Sequence, residues 1–454
     1  MKGRNAIRSA AVAAMAIFMA VAMLTSLSWG LAAGGIQRVS TRADGSQANN
    51  ESQFAALSMG ETYAVFCTAA TNVVPGTGNG KRQIYRKNLT SGSIECVSTA
   101  PGCCPANQDC QYPCVSLDGR YVAFSSTASN LIAGLSGQRV YRKDVQNDTI
   151  MSCGTGDNPS MSWDGKYIAF QSSMSPWALD LNNAQDVFRI DCDTGNILAV
   201  SCPVVNFVSP NFCYTGNAQS GSPSISLDGR YVAFTSDADN MVPNDHNNTG
   251  GAAILFQGGT DVFRKDMQTG DVIRCSTSST GVEGNRDSWT PTISPDGRYV
   301  LYNSMSYNLV PGDTDINMIN SGRLGQEIFR KDTQTGQTIR CCTSATGVAA
   351  NNEIQGASVN ASGSIIAFAT AANNLVPGDT NGKMDVFVKD LSSGKITRVS
   401  MSATGTQGNG DSGYYGWWPP SINMWGNRVV FASDATNLVS GDTNAKTDIF
   451  YKSL

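Results

Sequence analysis

The sequence predicts an all-β fold, a closed ring of seven four-stranded sheets, and three observations lead there. A core phrase, seen most fully at Ser222 to Ser236 (SPSISLDGRYVAFTS), recurs seven times, with turn glycines Gly60, Gly119, Gly165, Gly229, Gly297, Gly363 and Gly426. Most of these glycines stand roughly 60 residues apart, which exceeds a solenoid repeat and suits one four-stranded blade with long loops. The repeat is also cut so that its tail comes first. Ile36 to Ser52 matches Ile396 to Ser412 but follows no blade, while the last copy stops at Thr447 to Leu454, where that tail should begin. The orphaned tail is expected to complete the truncated copy, giving a seven-bladed β-propeller closed by an N-terminal strand that completes the last blade.

Residues 1–33 read as a secretory signal peptide: Lys2, Arg4 and Arg8 form a basic start, Ser9 to Leu27 is uncharged, and small residues follow at Gly30 to Gly35. The uncharged run is nearly long enough to span a bilayer, so an uncleaved anchor is the second reading. Residues 34–454 form the propeller domain. A secreted, periplasmic or cell-surface location follows, with membrane contact only through the signal or anchor.

Within a blade, strand A is Pro223 to Ser226, followed by an Asp228-Gly229 turn. Strand B, Arg230 to Phe234, is apolar on both faces, as a strand sandwiched between neighbouring blades requires. Strand C, Asp261 to Asp266, carries more charge and is expected nearer the rim. Thr269-Gly270 then turns into strand D, Val272 to Thr277. Gly-containing two-residue turns between short alternating runs are strong hairpin signals.

The phrases Ser116 to Phe124, Ser226 to Phe234 and Ser294 to Val300 resemble the WD40-like, or PD40, propeller repeats of the TolB propeller and of many secreted bacterial proteins. Asn374 to Asp390 looks like the secreted bacterial subgroup. The resemblance covers essentially the whole mature chain and implies the fold. It leaves no residues for the N-terminal domain of TolB-like proteins or the hydrolase domain of prolyl-oligopeptidase-like enzymes. Activity does not follow from it, since propellers host many unrelated functions.

The formal charge of −4, with little clustering of Lys and Arg, excludes a nucleic-acid footprint. Thirteen cysteines in an exported chain suggest disulfides, and the odd count leaves one thiol over. Cys103, Cys104, Cys110 and Cys114 crowd one segment at a spacing foreign to zinc sites, and a disulfide-stapled loop is expected there. Cys96, Cys275 and Cys341 share one strand position and read as packing or local bridging.

A meander places the A–B and C–D turns, mostly short here, on one face, and the long B–C and D–A loops on the other. Binding groups are expected on the long-loop face. There, Asp-Thr-Asn-Gly-x-x-Asp occurs at Asp379, Asn381 and Asp385, and nearly so at Asp442, Asn444 and Asp448. Alternating oxygen ligands around a turn suit calcium, although the spacing is shorter than an EF-hand and lacks its bidentate Glu. The same residues also read as Asx-type turns that start strand C.

Tyr414, Tyr415, Trp417 and Trp418 form an aromatic cluster in the last D–A loop, with Trp289 in another such loop and Trp177 in a B–C loop. Their rings suit a glycan or a protein partner, or else plug the gap between blades six and seven. His246 is the only histidine, which excludes multi-histidine metal sites. Asp237, Asp239, Asp245 and Asp411 are eligible for a carboxylate pair, but no pattern singles them out. The expectation is an exported, non-catalytic binding module that engages a glycan or protein on the long-loop face. A glycosidase-type enzyme and a self-assembling surface component are the alternatives.

Overall fold

A computed structural model describes residues 33–454 except 175–182, 204–214, 244, 246–258, 314–324 and 414–417. Among the described residues, seven four-stranded sheets form a seven-bladed β-propeller. Blade 4 shows the plan: strands A (Ser220–Ile225), B (Tyr231–Ser236), C (Asp261–Asp266) and D (Val272–Arg274) pair antiparallel in that order. Strand B is apolar on both faces because both are covered, and Val232, Ala233 and Phe234 are fully buried. Aromatic pairs join B to C, as in Phe234–Phe263 with centroids 5.8 Å apart and Phe124–Tyr141 at 5.8 Å, a cross-strand contact that adds to plain area burial.

Blade 7 closes as the offset repeat requires. Its strands A (Ser421–Ile422), B (Arg428–Ser433) and C (Asp448–Ser453) take their fourth partner from Ile36–Arg38. Ile36 lies opposite Lys452 and Arg38 opposite Phe450. Ser40 Oγ donates to Asp448 Oδ1 at 2.5 Å behind the strand.

Two repeated contacts fasten neighbouring blades. The first uses the Tyr that begins strand B and the Arg of strand C. Arg264 lies 4.4 Å over the ring of Tyr231, and its guanidinium donates to the carbonyl of Gly297, in the A–B turn of the next blade, at 2.6 Å. Arg86, Arg142, Arg189 and Arg330 repeat the contact on Gly119, Gly165, Gly229 and Gly363. Between blades 6 and 7 the positions hold Val388 and Ile365, and Ile365 faces Gly426.

The second contact uses the Lys of strand C. Lys331 Nζ donates to Thr277 Oγ1 at 2.7 Å and to the carbonyl of Ser278 at 2.9 Å, at the end of strand D of the preceding blade. Lys87, Lys143, Lys265, Lys389 and Lys452 reach the equivalent carbonyls, and all of these lysines are buried. The charges of strand C therefore point into blade junctions as well as toward the rim, because the carbonyls at the end of strand D need donors.

The cysteine expectation is corrected. Cys103, Cys104, Cys110 and Cys114 are all free thiols. Cys110 and Cys114 belong to strand A of blade 2 (Cys110–Val115), where Cys110 is buried, so they face the fold rather than a loop. Cys103 and Cys104 lie in the hairpin before it with sulfurs 2.8 Å apart. Cys275 and Cys341 are fully buried, and burial pushes both thiols up to about 12. Cys202 is held in a disulfide.

Candidate functional site in the axial channel

The innermost strands carry the same irregularity around the ring. In blades 1 to 6 the pairing of strand A with B shifts register, the mark of a β-bulge. In five of them the bulged residue is not glycine yet has positive φ: Phe54 (52°), Tyr112 (56°), Asn158 (52°), Ser222 (51°) and Thr290 (46°). Such a conformation costs on the order of 1–3 kcal/mol per residue and is retained where surrounding structure enforces it. Pro113, Pro159, Pro223 and Pro291 follow four of these residues. Proline has no N–H to leave unpaired at the bulge and fixes the chain direction beyond it.

The bulges surround an axial cavity of about 410 Å³, lined by Tyr112, Asp157, Asn158, Ser222, Thr290 and Trp418 among others. Its wall has two chemical halves. On the side of blades 7, 1 and 2, Trp418 and Tyr112 stack with centroids 5.8 Å apart, and Phe54 packs on both, at 5.6 Å from Trp418 and 5.2 Å from Tyr112. Trp418 Nε1 donates to the carbonyl of Ala55 at 3.2 Å, which fixes the indole across the seam between blades 7 and 1. On the side of blades 3 to 5 stand the amide of Asn158 and the hydroxyls of Ser222 and Thr290.

Asp157 lies between the halves. Gln171 Oε1 accepts from the Ser222 amide at 2.8 Å, which turns the Gln171 amide toward Asp157. Burial pushes the Asp157 carboxyl above the usual range, partly offset by the hydrogen bond from Gln171. Burial also raises the Tyr112 phenol, and the nearby Asp157 charge raises it further. A deeper layer of hydroxyls is already engaged in joining inner strands. Ser160 accepts from the amide of Ile225 at 3.1 Å, Ser224 from that of Ile293 at 3.1 Å, and Ser358 donates to the carbonyl of Pro420 at 2.6 Å. Asn158 and Ser222 make no side-chain hydrogen bond among the described residues, so their donors and acceptors face the cavity.

Of the aromatic residues singled out in the sequence, Trp418 forms part of this wall. Trp289 is half-buried on strand A of blade 5 (Ser288–Ile293), next to Thr290. Trp177, Tyr414, Tyr415, Trp417 and His246 lie outside the described residues. Tyr112, Asp157 and Asn158 were not singled out. Tyr112 and Asn158 stand just before the strand-A proline, a position visible once the repeats are aligned, and Asp157 stands one residue earlier.

The Asp-Thr-Asn-Gly loops are drawn together around arginines. Arg398 contacts Asp379 at 2.9 Å and Asp385 at 3.3 Å, while Asn381 points its Nδ2 at Asp385 Oδ2, 2.9 Å away. Arg38 contacts Asp442 at 3.3 Å and Asp448 at 3.4 Å, with Asn444 Nδ2 3.3 Å from Asp448. Calcium at either place would have to displace the guanidinium and turn the asparagine. The equivalent group in blade 4 is Asp245, Asp261 and Glu283 gathered around Arg274. Glu283 stands where Gln47 and Gln407 stand in other copies, and burial pushes Asp261 up to about 7.

Fold and channel together define a β-propeller with an axial pocket. No family model matches the chain, and no curated protein matches its sequence. Among solved structures, it is similar to an oligogalacturonate lyase from Vibrio parahaemolyticus, with TM-score 0.53 at 12% identity over 92% of this chain and 93% of that one. It is also similar to prolyl endopeptidases, with TM-score 0.51 at 11% identity over 91% of this chain and 50% of theirs. TolB from Acinetobacter baumannii is a more distant match, with TM-score 0.37 at 14% identity over 82% of this chain and 76% of that one. The first two likenesses establish the propeller fold.

They also correct the expectation of a non-catalytic module. Chains that share this ring include a lyase of nearly equal extent and peptidase propellers, so a bare propeller gives no ground for excluding catalysis. The long and varied loops lie on one face, whereas Trp418, Tyr112, Asn158 and Ser222 line one cavity on the axis.

Proposed function

We propose that the protein acts on a neutral saccharide held in the axial channel. The two-sided wall supports this reading above all else. A sugar ring has apolar faces and hydroxylated edges, and the cavity offers stacked Trp418 and Tyr112 opposite Asn158 and Ser222. Asp157, held toward its protonated form by burial, is the proton donor beside the bound ring. The oligogalacturonate lyase acts on an acidic polymer. Here the cavity lining, among the described residues, includes Asp157 and neither Lys nor Arg, which favours an uncharged sugar over a uronate. The finer assignment to exported PD40-type propellers belongs to the same proposal and rests on the GRYVAF phrases and the basic, then apolar, first 33 residues.

Titration calorimetry with neutral and uronic oligosaccharides tests the reading. Trp418→Ala should weaken binding of a neutral ligand about tenfold, the loss of roughly one stacked ring. Asp157→Asn should keep binding within a few-fold and abolish turnover of the bound sugar. Tighter binding of uronates, or a Trp418→Ala variant that binds like the parent, would overturn it.

A further inference from the structure

The face opposite the long loops carries a feature that the channel reading does not use. Its centre is a ring of A–B turns joined by backbone hydrogen bonds. The amide of Leu117 donates to the carbonyl of Trp163 at 2.8 Å, that of Trp163 to Leu227 at 3.0 Å, and that of Leu227 to Pro295 at 2.9 Å. The series breaks at Pro295, which has no N–H, and resumes from Ala361 to Met424 at 2.9 Å. The residue after the turn Ser or Asn is apolar in every copy, so an apolar collar surrounds the axis. Trp163, on blade 3, is 44% exposed, and Trp425, on blade 7, is 39% exposed. They stand on opposite sides of the ring on one face, and a flat partner is the kind that covers both.

The course of the chain indicates which flat partner. The amide of Gly34 donates to the carbonyl of Ser453 at 3.2 Å, and the amide of Leu454 to that of Asn427 at 3.0 Å. The chain thus enters the ring beside the turn that carries Trp425. Residues 1–32, with their uncharged run from Ser9 to Leu27, precede that point. Around the collar, the Arg or Lys at each turn tip of blades 2 to 5 is paired with an Asp at the end of strand C, as Arg230 is with Asp266. These tips therefore offer no unpaired cation to an anionic surface, and tryptophan favours the level of lipid headgroups.

We infer that the A–B face docks on a zwitterionic lipid surface through Trp163 and Trp425, which leaves the long-loop end of the channel open to solution. No helix among the described residues is long and apolar enough to cross a membrane.

The full chain with phosphatidylcholine vesicles, probed by hydroxyl-radical footprinting and mass spectrometry, tests this. Trp163 and Trp425 should become about fivefold less reactive as lipid is added. Met174, 65% exposed after strand B of blade 3 and on the opposite face, should stay reactive. Trp163→Ser with Trp425→Ser should lower vesicle co-flotation about tenfold. Three results would overturn the inference: no co-flotation of the parent, co-flotation with both tryptophans still reactive, or protection that needs no lipid and grows with protein concentration. The last would assign the face to a second copy of the chain.

Discussion

At the scale of single residues, close packing between blades depends on positions where no side chain fits. Gly297 has φ 74°, and a Cβ there would lie 2.1 Å from Cδ2 of Tyr231 on the preceding blade. Gly281 has φ 84° and nothing within 4 Å. Gly297→Ala is therefore expected to cost about 3 kcal/mol, from backbone strain plus a clash, and Gly281→Ala about 1 kcal/mol, from strain alone. Urea denaturation of the two variants checks the difference. A second residue-scale expectation concerns Asp261. Its folded carboxyl is pushed up to about 7 by burial, against about 3.9 in an unfolded chain. The native state thus holds a proton that the unfolded state releases between about pH 4 and 7. The stability Asp261 contributes is fully present below pH 4 and lost as pH rises through 7, by on the order of 1–3 kcal/mol. Asp261→Asn should flatten thermal midpoints across that window.

At the scale of elements, strand C does more than fill the third place in each sheet. Its alternation sends Arg264 toward the next blade's turn and Lys265 back to the carbonyl of Cys202 in the blade before. This follows from the two-residue period of a strand, which places adjacent side chains on opposite faces. Lys331→Met should cost about 2 kcal/mol, because buried carbonyls at the end of strand D lose a charged donor. The phrase VFRKD was legible as strand C, but its charges suggested the rim. The burial of Lys331 and its relatives could not be read from their chemistry, since long charged side chains are usually solvated. Strand A hid more. Its bulge leaves no mark in the sequence beyond a proline preceded by a varied residue, so nothing local distinguishes Tyr112 and Asn158 from other strand residues.

For the whole molecule, closure joins the two ends through Ile36–Arg38, and the ring is expected to unfold as one unit. Arg38 supplies the charge between Asp442 and Asp448 behind that seam. Arg38→Ala leaves two buried carboxylates facing each other and should cost about 3 kcal/mol while calorimetry still shows a single transition. With arginine already between the carboxylates, millimolar calcium or a chelator should leave the midpoint of the parent unchanged. A saturable rise with calcium would instead show ion binding in these loops.

The sequence by itself determined the seven copies, the four strands of each and the borrowed strand of the last blade. Repetition, turn glycines and strand alternation are local properties that one chain records directly. Only the tertiary structure decided what shares a place. It brought Trp418 of the last blade onto Phe54 and Tyr112 of the first two, set Asp157 beside them, and gave the Asp379 and Asp442 loops to arginines from strand D. Those meetings depend on ring closure and on bulges that re-aim side chains toward an axis, and neither distance nor direction across a ring is written in sequence spacing.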